Sequence, residues 1–285
     1  MLEYARGKLY TFISESPAQA FLSGFIPWII FYLYLYFSVY TLSANGQVQL
    51  SFSAFAAVNP VVLYAIPGLI LAVMAGATGG KLFSFLEGTA LGGEETRKRL
   101  AEGALYGLGI GAVTVVILYF LSPAVNAIVG LSITPLQMIA AADPVPLTLL
   151  NFYDIGSIFN PSFLYVFLLF WVVAFSEEYF VLVTYKLFRQ SFYSVGLSLA
   201  GSMLLAAFLA GILWGGAHVP AYTFEGVPVI LGIVTAILIG TLAFRLLSQV
   251  IFGNFNIAFM VTSHFMYDFG LATFATYLSF VPRHP

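Results

Sequence analysis

Five side chains that can transfer protons lie in the apolar second half of the chain. Glu177 and Glu178 are adjacent, His218 follows in a later apolar segment, and His264 and Asp268 are four residues apart. Ionisable side chains are costly to place inside a membrane, so those found within apolar segments are candidates for function. Carboxylates and imidazoles are the groups most often used as general acids and bases. The pattern therefore predicts proton-transfer chemistry.

The spacing of these residues suggests separate roles for neighbours. Adjacent residues on a helix point about 100° apart, so only one of Glu177 and Glu178 can face a given cavity, and the other supports it. A protonated pair bonded to neighbouring helices is the alternative. His264 and Asp268 lie one turn apart on one helix face. That spacing suits a histidine oriented by a carboxylate, or two ligands of one metal ion.

The composition places these residues in a membrane protein. Of 285 residues, 61% are hydrophobic and 8% are charged, against about 45–50% and about 25% in soluble domains. With a net charge of −2 and no basic patch, the chain is predicted not to bind nucleic acid, and it is neither a soluble enzyme nor a disordered chain. The absence of cysteine excludes disulfides and thiolate sites. The predicted fold class is an all-α transmembrane helix bundle, a single integral membrane domain over residues 1–285.

Seven apolar windows approach or exceed the length of about 20 residues that a spanning helix needs. The windows are Phe21–Tyr40, Pro60–Gly79, Ala104–Leu121, Ser162–Val183, Val195–Trp214, Val227–Phe244 and Val250–Phe280. The last is long enough for one tilted helix or for a span and an interfacial helix. An eighth crossing between Ser122 and Pro161 stays open, because Pro123 and four further prolines interrupt that segment. The prediction is seven or eight spans.

The distribution of basic residues predicts the orientation. Nine of the ten fall on one side of seven spans, and the positive-inside rule makes that side cytoplasmic. We therefore predict an integral protein of the cell membrane with a cytoplasmic amino terminus. The nine are Arg6, Lys8, Lys81, Arg97, Lys98, Arg99, Lys186, Arg189 and Arg245.

Small residues recur at every fourth position in two of the predicted spans. This spacing lets helix backbones approach closely in lipid, so it predicts packing within the chain, with a dimer interface as the alternative. The residues are Gly103, Gly107 and Gly111 in one span and Ala207, Gly211 and Gly215 in the other.

Three short motifs resemble those of a known family, the CPBP intramembrane proteases, which include the CAAX prenyl endopeptidases and bacteriocin-processing and immunity relatives. The motifs are Glu177-Glu178, then Trp214-Gly-Gly-Ala-His218, then His264-Phe-Met-Tyr-Asp268, within Phe163–Leu271. In the family they lie in this order on successive helices of a multi-span bundle. The chain departs from the pattern at Leu182, where the family has arginine.

The resemblance implies a glutamate-dependent intramembrane endopeptidase that acts on a membrane-embedded or lipidated peptide. Glu177 and His218 would activate a water, and His264 with Asp268 would stabilise the oxyanion. Glu178 and Trp214 would support them, Trp214 standing at the family's phenylalanine. The resemblance implies no cofactor and no metal. A zinc site formed by Glu177, His218 and His264 is an alternative, because zinc accepts such ligands.

Two other functions remain open. Without an arginine at position 182, Glu178 needs another partner, such as Lys186 or Arg245, or stays protonated. A catalytically inactive relative, acting as a chaperone or as a subunit of a membrane complex, is therefore the main alternative. A proton relay in a transporter is the third hypothesis. The sequence lacks the internal repeat that many transporters have, which argues against it.

When the spans are placed in the membrane by their basic flanking residues, the site residues lie at different depths. Counted from the basic flanks, Glu177 and His264 lie in the inner half of their spans, and His218 lies near an outer end. We nevertheless predict that Glu177, His218, His264 and Asp268 face one interior site and that Phe180 faces lipid.

Overall fold

The computed structural model describes residues 16–44, 70, 73, 94–141, 161–219, 222, 226–252 and 256–280. Within this part of the chain seven helices form an all-α structure, which confirms the all-α part of the predicted fold class. They are α1 Pro17–Ala44, α2 Glu94–Val129, α3 Pro135–Ala140, α4 Pro161–Ser194, α5 Leu199–Ala217, α6 Val229–Phe252 and α7 Ile257–Phe280.

Three of these helices are long and apolar enough to cross a membrane. They are α2 from Arg97 onward, α5 and α6, and the start of α1 (Pro17–Leu33) is a shorter apolar helix. A helix that rises 1.5 Å per residue crosses the hydrocarbon layer in about 20 residues. These lengths indicate an integral membrane protein. The predicted window Pro60–Gly79 falls almost entirely outside the described residues.

The prediction that prolines break the chain after Ser122 is wrong at Pro123, which lies inside α2. Proline cannot donate to the carbonyl four residues before it, which here belongs to Tyr119. The Ser122 hydroxyl donates to that carbonyl at 3.2 Å, and such side-chain bonds let proline persist in membrane helices. The helix therefore continues to Val129. With six residues, α3 is about 9 Å long and does not cross the membrane by itself.

Of the two readings of the window Val250–Phe280, the one as a single tilted helix is wrong. The first residues of the window end α6 at Phe252, and α7 begins at Ile257. Asn256 caps α7, since its side-chain oxygen accepts a hydrogen bond from the Phe259 N–H at 3.2 Å. Because the residues on both sides of this break are apolar, the composition did not reveal it.

The glycine faces pack within the chain, which confirms the first reading of their spacing. A Cβ on Gly107 would collide with the Thr262 hydroxyl, and one on Gly111 would collide with the Ser263 carbonyl. Both partners belong to α7. A Cβ on Gly211 would lie 2.5 Å from a hydroxyl of α6. Close approach of backbones at small residues is the usual basis of helix packing in lipid.

Helix α4 packs against α1, α5 and α7. The prediction that Phe180 faces lipid is wrong. The residue is buried, and its ring centroid lies 4.7 Å from that of Trp28 and 6.1 Å from that of Phe31. Because α1 covers this face, the apolar character of Phe180 reflects packing between helices. The Trp28 indole N–H also donates to the Thr184 hydroxyl of α4 at 2.8 Å.

Candidate functional site

Three helices carry the six predicted residues of the candidate site, and all six are buried in the interior that these helices share. Helix α4 carries the two glutamates, the end of α5 carries the tryptophan and the first histidine, and α7 carries the last pair. The residues are Glu177, Glu178, Trp214, His218, His264 and Asp268. Hydrogen bonds and ring contacts divide them into two groups.

The first group is a carboxylate facing an imidazole, Glu177 and His218. The Glu177 Oε2 atom lies 4.0 Å from His218 Nε2 and accepts the Trp214 indole N–H at 2.6 Å. His218 Nδ1 lies 2.8 Å from the Trp214 carbonyl oxygen. A carbonyl oxygen only accepts, so Nδ1 carries a proton and donates it there. In the neutral imidazole, Nε2 then presents its lone pair towards the carboxylate.

Trp214 thus holds both members of this pair. Its indole N–H binds Glu177 and its backbone carbonyl orients the His218 ring. The residues lie four apart at the end of α5, where His218 is the C-cap and donates its own N–H to the Gly215 carbonyl. The helix end therefore fixes the imidazole through the backbone. A tryptophan supplies a donor that phenylalanine at the same position lacks.

The predicted difference in depth between Glu177 and His218 is wrong, since their side chains lie 4.0 Å apart. Helix α4 runs from Pro161 to Ser194, well beyond the predicted window, so Glu177 lies near its middle. Lys186 is itself buried and does not mark a membrane boundary. Depth counted from that residue placed Glu177 too close to the inner side.

The second group is built on Glu178. Arg245 donates to both carboxylate oxygens, from Nε to Oε2 at 3.0 Å and from Nη2 to Oε1 at 2.8 Å. His264 Nδ1 lies 2.9 Å from the same Oε1. Its other ring nitrogen, Nε2, lies 3.6 Å from Asp268 Oδ2. Bidentate pairing with a guanidinium holds a carboxylate in one orientation.

The charges of the second group cancel if His264 and Asp268 share one extra proton. Glu178 accepts from the Arg245 guanidinium at both oxygens, so it is ionised and His264 Nδ1 is a donor. One further proton shared between His264 Nε2 and Asp268 makes the sum zero, whichever of the two carries it. A cluster buried to this degree needs such compensation, because an uncompensated charge is strongly destabilising.

Arg245 corrects one prediction and confirms another. It was counted among the cytoplasmic flanking residues, but it is buried inside α6, so it is no guide to orientation. It was also one of two candidate partners for Glu178, and that pairing is confirmed. Leu182 is buried among apolar side chains instead. The sequence signal that identified Arg245 as a partner of Glu178 was a cationic residue within the apolar stretch that forms α6.

The indole of Trp214 also contacts the second group. The Arg245 guanidinium carbon lies 5.0 Å from the ring centroid, within the range of a cation–π contact. The His264 ring meets the indole edge-on at 5.7 Å. Phe244 stacks on the other side of His264, with 5.8 Å between centroids. Composition and spacing gave no signal for Phe244.

Burial differs between the two groups. The side chains of Glu178 and His264 are 0% exposed, whereas those of Glu177 and His218 retain 9% and 7%. The first group is therefore slightly more exposed than the carboxylate and imidazole of the second. In the part of the chain that the structure describes, no three His, Cys, Asp or Glu side chains are arranged to hold a metal ion.

Comparison with known proteins found no relative. No protein-family model, no curated protein and no solved structure matches the chain.

Proposed function

We propose that the chain is a glutamate-dependent intramembrane endopeptidase resembling the CPBP proteases. The observation that carries the proposal is the Glu177–His218 pair, in which a carboxylate oxygen and an imidazole Nε2 face each other at 4.0 Å. One water can donate hydrogen bonds of ordinary length, about 2.8 Å, to both atoms. The pair is also the more exposed part of the site.

In this mechanism Glu177 is the general base. It takes a proton from the bound water while His218 Nε2 accepts the other hydrogen. The water oxygen forms a bond to the scissile carbonyl carbon, whose oxygen becomes negatively charged. When the carbon–nitrogen bond breaks, Glu177 returns its proton to the leaving amine. The products are a carboxylic acid and an amine, and the base is regenerated.

His264 is the donor to the oxyanion. Its Nε2 lies 3.6 Å from Asp268 Oδ2, which is longer than a normal hydrogen bond. A protonated Nε2 can therefore donate to the substrate oxygen, while Asp268 balances the charge of the imidazolium. Donors held in place before the reaction are the largest source of stabilisation in acyl transfer. Glu178 holds the ring at its other nitrogen.

The position of the site suggests its substrate. Glu177 lies near the middle of α4, among helices whose outer surfaces are apolar. We propose a membrane-embedded or lipidated peptide that enters from the surrounding lipid, with no cofactor and no metal. The bundle has seven or eight spans in the cell membrane, with the amino terminus in the cytoplasm.

Burial also favours a second candidate. The side chains of Glu178, His264 and Asp268 are at most 1% exposed, as expected of a structural ion cluster. A non-catalytic relative that acts as a membrane chaperone or a complex subunit would retain such a cluster for packing alone.

The two candidates differ in the effect of Glu177→Gln. The enzyme, reconstituted in lipid vesicles, is assayed with prenylated and transmembrane peptides, and cleavage is followed by mass spectrometry. Loss of the general base should lower the cleavage rate by about 10²–10⁴-fold with little change in thermal stability. Glu178→Gln is the comparison variant, since it breaks the Arg245 pair and alters the contact with His264, and it should reduce thermal stability as well as cleavage. Unchanged cleavage in Glu177→Gln would exclude the mechanism, and cleavage of no peptide by the parent protein would favour the non-catalytic candidate.

A further inference from the structure

The arginine that the three motifs lack at position 182 is replaced by a cation from another helix. We propose that Arg245 is a positioning residue, which orients Glu178 and, through it, the His264 imidazole. This inference rests on the proposed function, because it assigns Arg245 to the support of the oxyanion donor.

The contacts of Glu178 give the first argument. Its Oε1 atom accepts from Arg245 Nη2 and lies 2.9 Å from His264 Nδ1, while its Oε2 accepts from Arg245 Nε. The guanidinium therefore fixes the plane of the carboxylate that holds the imidazole. An arginine on α4 one turn after Glu178 would bind the carboxylate from its own helix. In this chain the cation comes from α6 and joins α6 to α4.

The backbone of α6 gives the second argument. Residues Ile237–Leu246 form a π-helix, a rare conformation that is frequent at functional sites. In an α-helix, residues five apart point about 140° away from each other. With i→i+5 bonding they lie on nearly the same side. The π-helix therefore turns Gly240 and Arg245 towards the same neighbour, which is Trp214.

Gly240 gives the third argument. A Cβ at this position would lie 2.5 Å from a Trp214 ring carbon and 2.9 Å from Arg245 Nη1. A side chain here would displace either the indole or the guanidinium. The missing side chain and the π-helical backbone thus allow the guanidinium to lie over the indole at 5.0 Å. Both features are explained if Arg245 must reach Glu178 at this place.

The role of Arg245 can be tested by moving the cation. Three variants are compared with the parent protein: Arg245→Met, Arg245→Met combined with Leu182→Arg, and Arg245→Lys. The double variant returns a guanidinium to Glu178 from α4. The lysine variant keeps the charge but loses the bidentate geometry. Lys98→Met, at an exposed cation, is the control for loss of positive charge.

The first measurement is the tautomer of His264 by nitrogen-15 NMR of histidine-labelled protein in detergent, which needs no substrate. The His264 signals should change in Arg245→Met and in Arg245→Lys and return towards the parent's in the double variant. The His218 signals should stay constant, because that ring is fixed by a backbone carbonyl. Unchanged His264 signals in Arg245→Lys, or in Arg245→Met, would overturn the inference.

The second measurement is peptide cleavage. Misplacement of a catalytic group costs about 10²-fold, so kcat should fall by that order in Arg245→Met, with KM nearly unchanged, and should recover at least partly in the double variant. Equal loss of kcat in both would also overturn the inference. If the NMR signals respond as expected and no variant or parent protein cleaves peptide, the positioning by Arg245 stands and the proposed protease function fails.

Discussion

Replacing Trp214 by phenylalanine removes one hydrogen-bond donor from the site and leaves an aromatic ring in place. The lost indole N–H donates to Glu177 Oε2 at 2.6 Å in a buried setting. The backbone carbonyl that orients His218 is kept. We therefore expect the Glu177 carboxylate to lose its fixed position while His218 keeps its own.

The magnitude follows from the type of acceptor. A hydrogen bond to a charged group contributes about 1.5–3 kcal/mol, and one between neutral groups about 0.5–1.5 kcal/mol. Trp28 provides a matched control, since it is equally buried and its indole N–H donates to the neutral Thr184 hydroxyl. Trp214→Phe should lower the free energy of unfolding by about 1 kcal/mol more than Trp28→Phe does. Both variants lose the same ring volume.

The same bond should also affect catalysis. If it holds Glu177 in the transition state, a loss of about 1.5–3 kcal/mol lowers kcat/KM by roughly 10- to 150-fold. Trp28→Phe should leave kcat/KM within about twofold of the parent value, because its indole N–H donates to Thr184, which is not a site residue. Unfolding in mixed detergent micelles and peptide cleavage in vesicles measure the two quantities. Equal effects of the two substitutions on both stability and rate would refute the role assigned to the indole.

Two further predictions concern packing and orientation. Gly107→Ala should destabilise the fold by about 1–3 kcal/mol through overpacking against α7. Gly109→Ala, where a Cβ meets open space, should be neutral or stabilising by up to about 1 kcal/mol. Unfolding curves in detergent compare the two variants, and equal unfolding midpoints would contradict the packing of Gly107 against α7. Reporter fusions should give a cytoplasmic signal at Arg189 and an external signal at Asn45, which lies outside the described residues, and the reverse result would invert the topology.

The sequence was sufficient to predict which polar residues are buried. Ionisable groups in apolar segments have few stable locations other than the protein interior, and Glu177, His218, His264 and Asp268 are all buried. They form two groups, and the Trp214 indole contacts both. Helical periodicity likewise predicted that the glycines of α2 pack within the chain, and they do so against α7. Whether the residues catalyse a reaction stays a prediction.

Depth and helix boundaries were harder to predict, for a physical reason. Charge patterns locate a membrane boundary only when the charges are solvated, and Lys186 and Arg245 are buried in the bundle. Burial of Phe180 depends on which helix covers it, and an apolar side chain suits lipid and protein equally. The π-helix that directs Arg245 to Glu178 has no composition that distinguishes it from the rest of α6.

The bond from the Ser122 hydroxyl to the Tyr119 carbonyl bears on the order of biosynthesis. The donor and the carbonyl belong to the same turn of α2. The helix therefore satisfies the carbonyl that Pro123 leaves without an N–H donor, and it needs no neighbouring helix for this bond when it enters the bilayer. Its glycine face, in contrast, stays uncovered until α7 has been synthesised, because the partners of that face lie on α7. Helix α7 also brings His264 and Asp268. The nascent chain therefore gains the contacts between α2 and α7 and the polar pair His264 and Asp268 in the same step, and a chain that ends before α7 lacks both.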